Sequence, residues 1–252
     1  MPDEITPENT FRCAVLALLF MWSSATATGA DSIVGAVLAR QAGVSQDITD
    51  AVFIAHYRYE EFGGDSQLAR EVEHERRVFM KTFAGQHSEF LNVTVNGHPA
   101  SGAERNSEML EFRIREQAIR LMKMPLTPET RTTYRCELQG ADTCAGQSAW
   151  RIGFEPAHWG LGLLRGTAWV SQADASILAI EFVPVPMPPM VSELRIRLDY
   201  ADIGGNWLPS VLSMDMKVAV NLLVTRSERH ITVREEYTDY SLNNGLEDEP
   251  GK

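Results

Sequence analysis

Cysteine is scarce, with three in 252 residues, at positions 13, 136 and 144. That excludes a small scaffold stapled by many disulfides, and no second Cys or His pair with zinc spacing completes a metal site around Cys136 and Cys144. Long apolar runs are missing as well. The longest, CAVLALLFMW at residues 13–22, falls short of the roughly 18 residues that a membrane-spanning helix requires. Positive charge is in the minority, 23 Lys and Arg against 34 Asp and Glu, for a formal net charge of −11. The basic residues are dispersed, and the pair Arg76-Arg77 sits among Glu71, Glu73 and Glu75. A nucleic-acid backbone is therefore a poor partner, and an anionic membrane surface is disfavoured on the same ground.

Catalytic signatures are absent too. There is no G-x-S-x-G elbow, P-loop or G-x-G-x-x-G, and Gly160-Leu161-Gly162 lacks the third glycine that phosphate binding needs. His56, His74, His87, His98, His158 and His230 show no metal-binding spacing. Glu60-Glu61 and Glu235-Glu236 are neighbours on strands, where consecutive side chains point to opposite faces, so neither pair forms an acid/base couple. The expectation is a protein without catalytic residues, cofactor or metal; a hydrolase triad assembled from distant residues is the enzymatic alternative.

What the chain has is alternation. Leu212, Met214, Met216, Val218, Val220, Leu222 and Val224 are apolar, with Ser213, Asp215, Lys217 and Asn221 between them, which puts every apolar side chain on one face of a long strand. Leu194, Ile196, Leu198 and Tyr200 repeat the register between Glu193, Arg195, Arg197 and Asp199. Two such neighbours describe an antiparallel sheet with one wet face. Further strands are expected over 51–62, 72–83 and 88–95. From residue 131 the strands 131–138, 148–155, 163–171, 177–183, 193–200, 206–224 and 228–240 follow, with turns at 139–142, 172–176 and 202–205 that fit a meander of sequential neighbours. Four prolines make 184–190 a stiff extended loop.

Two helices are expected. A short one covers 32–42. Ser101 and Glu104 have the spacing of a capping box, and the helix that follows to about Lys123 carries Leu110, Ile114, Ala118 and Leu121 on one stripe, able to lie on a sheet. Phe112 and Ile119 fall nearly opposite, as in packing against a loop or in a lid over a cavity.

The ends of the chain read as processing and solvent. Residues 13–22 precede a small polar stretch in which Ala25 and Ala27 fit an A-x-A cleavage site, so 1–27 reads as a secretory signal peptide cleaved near Ala27. Asp3, Glu4 and Glu8 stand against one Arg12 where net positive charge is usual, and a buried N-terminal helix is the alternative. Cleavage removes three acids and one base and leaves a formal charge of −9. Export to the periplasm would let Cys136 and Cys144 bridge the turn between their strands, contributing roughly 2–3 kcal/mol; two free thiols are the alternative. Residues 243–252 read as a disordered acidic tail, leaving a single domain over 28–242.

A resemblance rests on four segments: Gly166 to Val170 (GTAWV), Ile177 to Phe182 (ILAIEF), Leu194 to Tyr200 (LRIRLDY) and Gly205 to Pro209 (GNWLP). Their succession is similar to that of periplasmic outer-membrane lipoprotein-sorting proteins, the LolA/LolB-like group. Val95 to Pro99 (VNGHP), leading into an acidic helix, resembles uncharacterised exported relatives of that group. The resemblance covers roughly residues 50–240. It implies a mainly β fold with α, a curved antiparallel half-barrel covered by helices, with an apolar cavity that takes acyl chains. No family catalytic residue exists to carry over, and no position here matches the arginine such carriers use inside the cavity.

Thioethers fill irregular volumes well, and Met187, Met190, Met214 and Met216 together with Met109, Met122 and Met124 suit a cavity for variable tails or, equally, plain core filling. The residues expected to line the cavity are Leu212, Met214, Met216, Val218 and Val220 on the sheet, with Leu110, Ile114 and Leu121 above. The function expected is that of an exported, non-enzymatic carrier of an acyl chain or lipoprotein, not integral to the membrane. The rival is a periplasmic interaction protein or envelope-stress regulator that acts through an envelope partner and has no lipid cargo.

Overall fold

A computed structural model describes residues 29–44, 46–81, 85–222 and 225–246. The signal peptide expected over 1–27 and the far end of the tail lie outside these. Helix α1 spans 29–44. Strands β1 (Asp50–Phe62), β2 (Leu68–Lys81), β3 (Gly85–Val95) and β4 (His98–Pro99) follow, then helix α2 (Gly102–Arg120) and a 3-10 turn at Pro128–Thr130. The remaining strands are β5 (Tyr134–Cys144), β6 (Gln147–Pro156), β7 (Leu163–Ser171), β8 (Ile177–Val185), β9 (Val191–Ile203), β10 (Asn206–Leu222) and β11 (Thr225–Leu242).

All strands join one 11-stranded sheet in the order β4-β3-β2-β1-β11-β10-β9-β8-β7-β6-β5, and every pairing is antiparallel. The fold is thus the open, curved, helix-covered sheet expected. Its chain order holds one non-sequential step: β1 pairs with β11, Ala51 opposite Leu242 and Phe62 opposite His230. Register continuity defines one interior face across the whole sheet. In the meander half it carries Tyr134, Ile152, Phe154, Ala168, Val170, Ile180, Phe182 and Ile196, all buried in the main core cluster with Val37 of α1. Ile33 and Val34 of the same helix pack on that cluster. Arg40 anchors its far end, donating to Gly205 O at 2.9 Å and lying 3.8 Å from Asp174. In the other half the interior face carries Ala51, Phe53, Ala55 and Val78, against which Met80, Tyr237 and Tyr240 pack.

Three expectations change. Gln139-Gly140-Ala141-Asp142 is not a turn: β5 runs through it with a register shift between Leu138 and Gly140, a β-bulge with Gly140 at φ +122°, and the turn falls at Ala145-Gly146 instead. That placement removes the disulfide. Cys136 and Cys144 are free thiols on one continuous strand, about 26 Å apart along it at roughly 3.3 Å per residue, far beyond the roughly 4.4–6.8 Å a bridge allows. Cys136 lies against the main core and Cys144 in a separate cluster with Ala149, Leu178 and Ala179. Third, the tail begins in order. The backbone N–H groups of Asn244, Gly245 and Leu246 donate to the buried Asp50 carboxylate at 2.7, 3.0 and 3.3 Å.

Candidate functional site

Helix α2 is fixed at its start by the expected capping box: Glu104 N–H donates to Ser101 Oγ at 3.4 Å, and Ser101 N–H donates to the Glu104 carboxylate at 2.8 Å. The Ser101 hydroxyl, donating to the Glu104 carboxylate at 2.7 Å, and the Ser101 N–H together hold the Glu104 carboxyl below its usual range. The helix lies over β1–β3, but not on the stripe expected. Leu110, Ile114 and Leu121 are 60%, 59% and 74% exposed, and the side turned to the sheet carries Glu108, Phe112 and Arg115. Glu108 is buried against Arg70. Phe112 meets the Phe90 ring edge-on at 5.5 Å and supports the Arg76 guanidinium, 3.9 Å from its ring centre. Arg115 sits over the Tyr57 ring at 5.0 Å.

The sheet beneath this helix is polar where the alternating pattern places interior side chains. Arg76, 2% exposed, is paired with buried Glu235. Burial pushes the Glu235 carboxyl above its usual range although Arg76 pulls the other way, and burial lowers Arg76. His74 stacks on Tyr57 at 4.2 Å with its rings nearly parallel. Burial, reinforced by Arg76 and Arg115, lowers its imidazole to about 2, so His74 is neutral. The Tyr57 hydroxyl is pushed up to about 12, chiefly by burial. Helix α2 is therefore held by ion pairs and ring contacts, and α1 by apolar packing.

Between the two helices lies the part of the interior face formed by β9, β10 and β11. Met214 stands between Ile196 and Val233, and Met216 between Leu194 and Ile231; Val218 stands opposite Arg229. Ile196 and Val233 are buried, whereas Leu194, Met214, Met216, Val218 and Ile231 are partly exposed. Leu212 and Met214 pack against the main core; Met216 and Val218 belong to none of the core clusters formed by the described residues. Val220 lies further along β10, opposite Ser227. The structure thus places Leu212, Met214, Met216 and Val218 on one partly exposed apolar strip of the interior face, with the Arg229–Glu61 ion pair, to which the Tyr59 hydroxyl donates at 2.9 Å, beside Val218. It sets Leu110, Ile114 and Leu121 apart from them, on the outer side of α2.

Two depressions lie on the opposite, outer face. One, of about 730 Å³, opens over Gly153 and Gly166 and is lined by Arg135, Glu155, Arg165 and Arg195. The other, of about 460 Å³, includes His56, Arg58, Glu73 and Glu236. Each mixes charges of both signs. Among the described residues no cluster of His, Cys, Asp and Glu could hold a metal, and no helix is long and apolar enough to cross a membrane. Sequence reasoning missed the polar set of Tyr57, His74, Arg76, Arg115 and Glu235. Strand parity was the available signal, since Glu235 alternates with Val233 and Tyr237, and Arg76 with Val78.

No family model matches the chain, and no curated protein matches it in sequence. Solved structures do. The chain is similar to a DUF1329 family protein from Desulfovibrio piger, at 11% identity over 87% of this chain and 95% of that one, with a TM-score of 0.41. It is similar to a putative outer membrane lipoprotein-sorting protein domain from Vibrio parahaemolyticus, at 10% identity over 88% and 95%, with a TM-score of 0.43. A LolA superfamily protein from Nitrosomonas europaea is 12% identical over 85% and 94%, with a TM-score of 0.34.

Proposed function

We propose that this chain is an exported, non-enzymatic binding protein that carries an acyl-chain ligand, free or as the tail of a lipoprotein, in a furrow along this apolar strip between α1 and α2. The observation that supports it is the partial exposure of Leu194, Met214, Met216, Val218 and Ile231 on the interior face of strands in mid-sheet, beside Ile196 and Val233, which are buried. Each Å² of apolar surface left in water there forgoes about 25 cal/mol, which an apolar tail lying in the furrow would recover. Two methionines on the floor adapt to tails of different length and unsaturation. The apolar run at 13–22 followed by Ala25 and Ala27 supports export.

Met216→Glu tests the reading. A carboxylate in the furrow has no partner and would repel an apolar tail, so uptake of a fluorescent fatty-acid probe is expected to fall at least about tenfold while the far-ultraviolet circular dichroism is unchanged. Wild-type protein that takes up no probe, and retains no lipid in native mass spectrometry, would sink the carrier reading. The interaction-protein reading, in which the chain acts through an envelope partner without a cargo, then takes its place.

A further inference from the structure

Among the described residues nine large hydrophobic side chains are notably exposed, and five of them, Leu110, Ile114, Leu121, Trp159 and Leu161, belong to the outer stripe of α2 with its C-cap and to the loop between β6 and β7. The two elements are joined in space. Lys123 N–H donates to Gly162 O at 2.8 Å, and Gly162 approaches Leu121 so closely that a Cβ on it would lie 2.1 Å from the Leu121 carbonyl. At the other end of the loop, Ala157 N–H donates to Thr133 O at 2.8 Å. Trp159 and Leu161 are each 79% exposed. Leu121 therefore continues the outer stripe of α2 toward the tip of this loop.

One flank of this apolar stripe is basic, against the balance of the whole chain, while Glu111 lies on its other flank and Glu129 next to Arg131. Arg113 and Arg120, seven apart, form a row along the helix beside Ile114 and Leu121, also seven apart. Arg120 is paired with Glu116 at 2.9 Å. Arg113, Lys123 and Arg131 are exposed, and no ion pair engages them among the described residues. An apolar stripe on a helix with basic residues on its flank, and an exposed tryptophan at its end, is the pattern of a helix that lies in the plane of a lipid surface. Tryptophan favours the headgroup level, and each basic side chain near an anionic surface contributes about 1 kcal/mol. The net acidity that disfavours membranes for the chain as a whole does not describe this patch, because screening confines the interaction to about 8–10 Å.

We propose that the outer stripe of α2 and the Trp159–Leu161 loop form one docking surface for an anionic lipid bilayer, bound at its interface without crossing it. The proposal does not depend on whether the furrow holds a ligand. Vesicle co-sedimentation with the full chain tests it, using vesicles of pure phosphatidylcholine and of phosphatidylcholine with phosphatidylglycerol. The variants are Trp159→Ser/Leu161→Ser and Arg113→Glu/Lys123→Glu. All the changed side chains are exposed, so the thermal midpoint should stay at the wild-type value. Wild type is expected to sediment with the anionic vesicles, more weakly at high salt and with phosphatidylcholine alone, and each variant should bind at least about tenfold less. Variants that bind as well as wild type would assign any sedimentation to the apolar run at 13–22 and overturn the proposal. So would equal binding to both vesicle types, or a wild-type chain that ignores vesicles but forms a dimer which Trp159→Ser/Leu161→Ser dissolves.

Discussion

His74 shows how far the interior controls a single ionisable group. Its ring lies between Tyr57 and the Phe90 and Phe112 edges, with Arg76 and Arg115 close enough to oppose a further positive charge. The imidazole titrates at about 2 when folded and at about 6.5 when unfolded. Between those values the unfolded chain binds a proton that the folded chain refuses. The contribution of neutral His74 is thus fully present above about pH 6.5 and drains away as pH falls, by at most about 1.4 kcal/mol per unit. His74→Phe keeps a stacked ring and removes the basic nitrogens. Between about pH 7.5 and about pH 5, urea melts should show the variant losing about 2 kcal/mol less stability than wild type. Parallel losses would mean that solvent already reaches the imidazole. Cys136 and Cys144 were misread because their pairing was inferred from a turn that the residue types suggest; Gly140 and Asp142 are as much at home in a bulge.

At the scale of the element, strands were legible wherever one face is apolar and the other charged, as in β9 and β10, because two-residue alternation leaves little choice of register. Helix α2 was legible in extent and cap but not in orientation. Its apolar stripe suggested the side that packs, whereas the surface it covers is made of Tyr57, His74, Arg76 and Glu235, and matches Glu108, Phe112 and Arg115. A helix places its apolar side inward only where the sheet below is apolar, so the two patterns have to be read together. Gly166, in the GTAWV segment, records a different element-scale demand. A Cβ there would lie 2.0 Å from the Glu181 carbonyl on β8, a backbone atom that cannot step aside. Gly166→Ala should therefore cost about 1–3 kcal/mol in thermal or urea melts. Gly153→Ala should cost less, since the side chain it would meet, Gln139, is flexible. Equal losses would show that β7 and β8 separate readily.

For the molecule as a whole, the join between β1 and β11 carries the fold. It brings residues about 190 apart in sequence into register, Ala51 with Leu242 and Val52 with Ser241. The Asp50 carboxylate fastens the end of that join through three backbone N–H groups beyond β11, and Asn243 Oδ1 accepts from Thr49 N–H at 2.8 Å. Asp50→Ala should cost about 2–3 kcal/mol, since hydrogen bonds to a buried charge are among the stronger ones. The loss should appear as faster amide exchange at the Ala51 and Leu242 ends of the two strands. Exchange left unchanged there would show that strand pairing alone secures the join. Neither this join nor the clamp on Asp50 could be read from the sequence, because alternation gives the face of a strand but not its neighbour.

That join has a consequence for how the chain could be rewired. Read across the sheet from β5, the order is β5 to β11 and then β1 to β4, so the sheet would be an uninterrupted eleven-strand meander if the sequence began after α2. The start of β1 and the end of β11 already lie side by side. A circular permutant with new termini in the 121–133 segment, and with β11 led through α1 into β1, would keep every strand pairing while making all of them local. Since folding speed falls as contacts become more distant in sequence, such a permutant should reach the same native structure sooner than the natural order does.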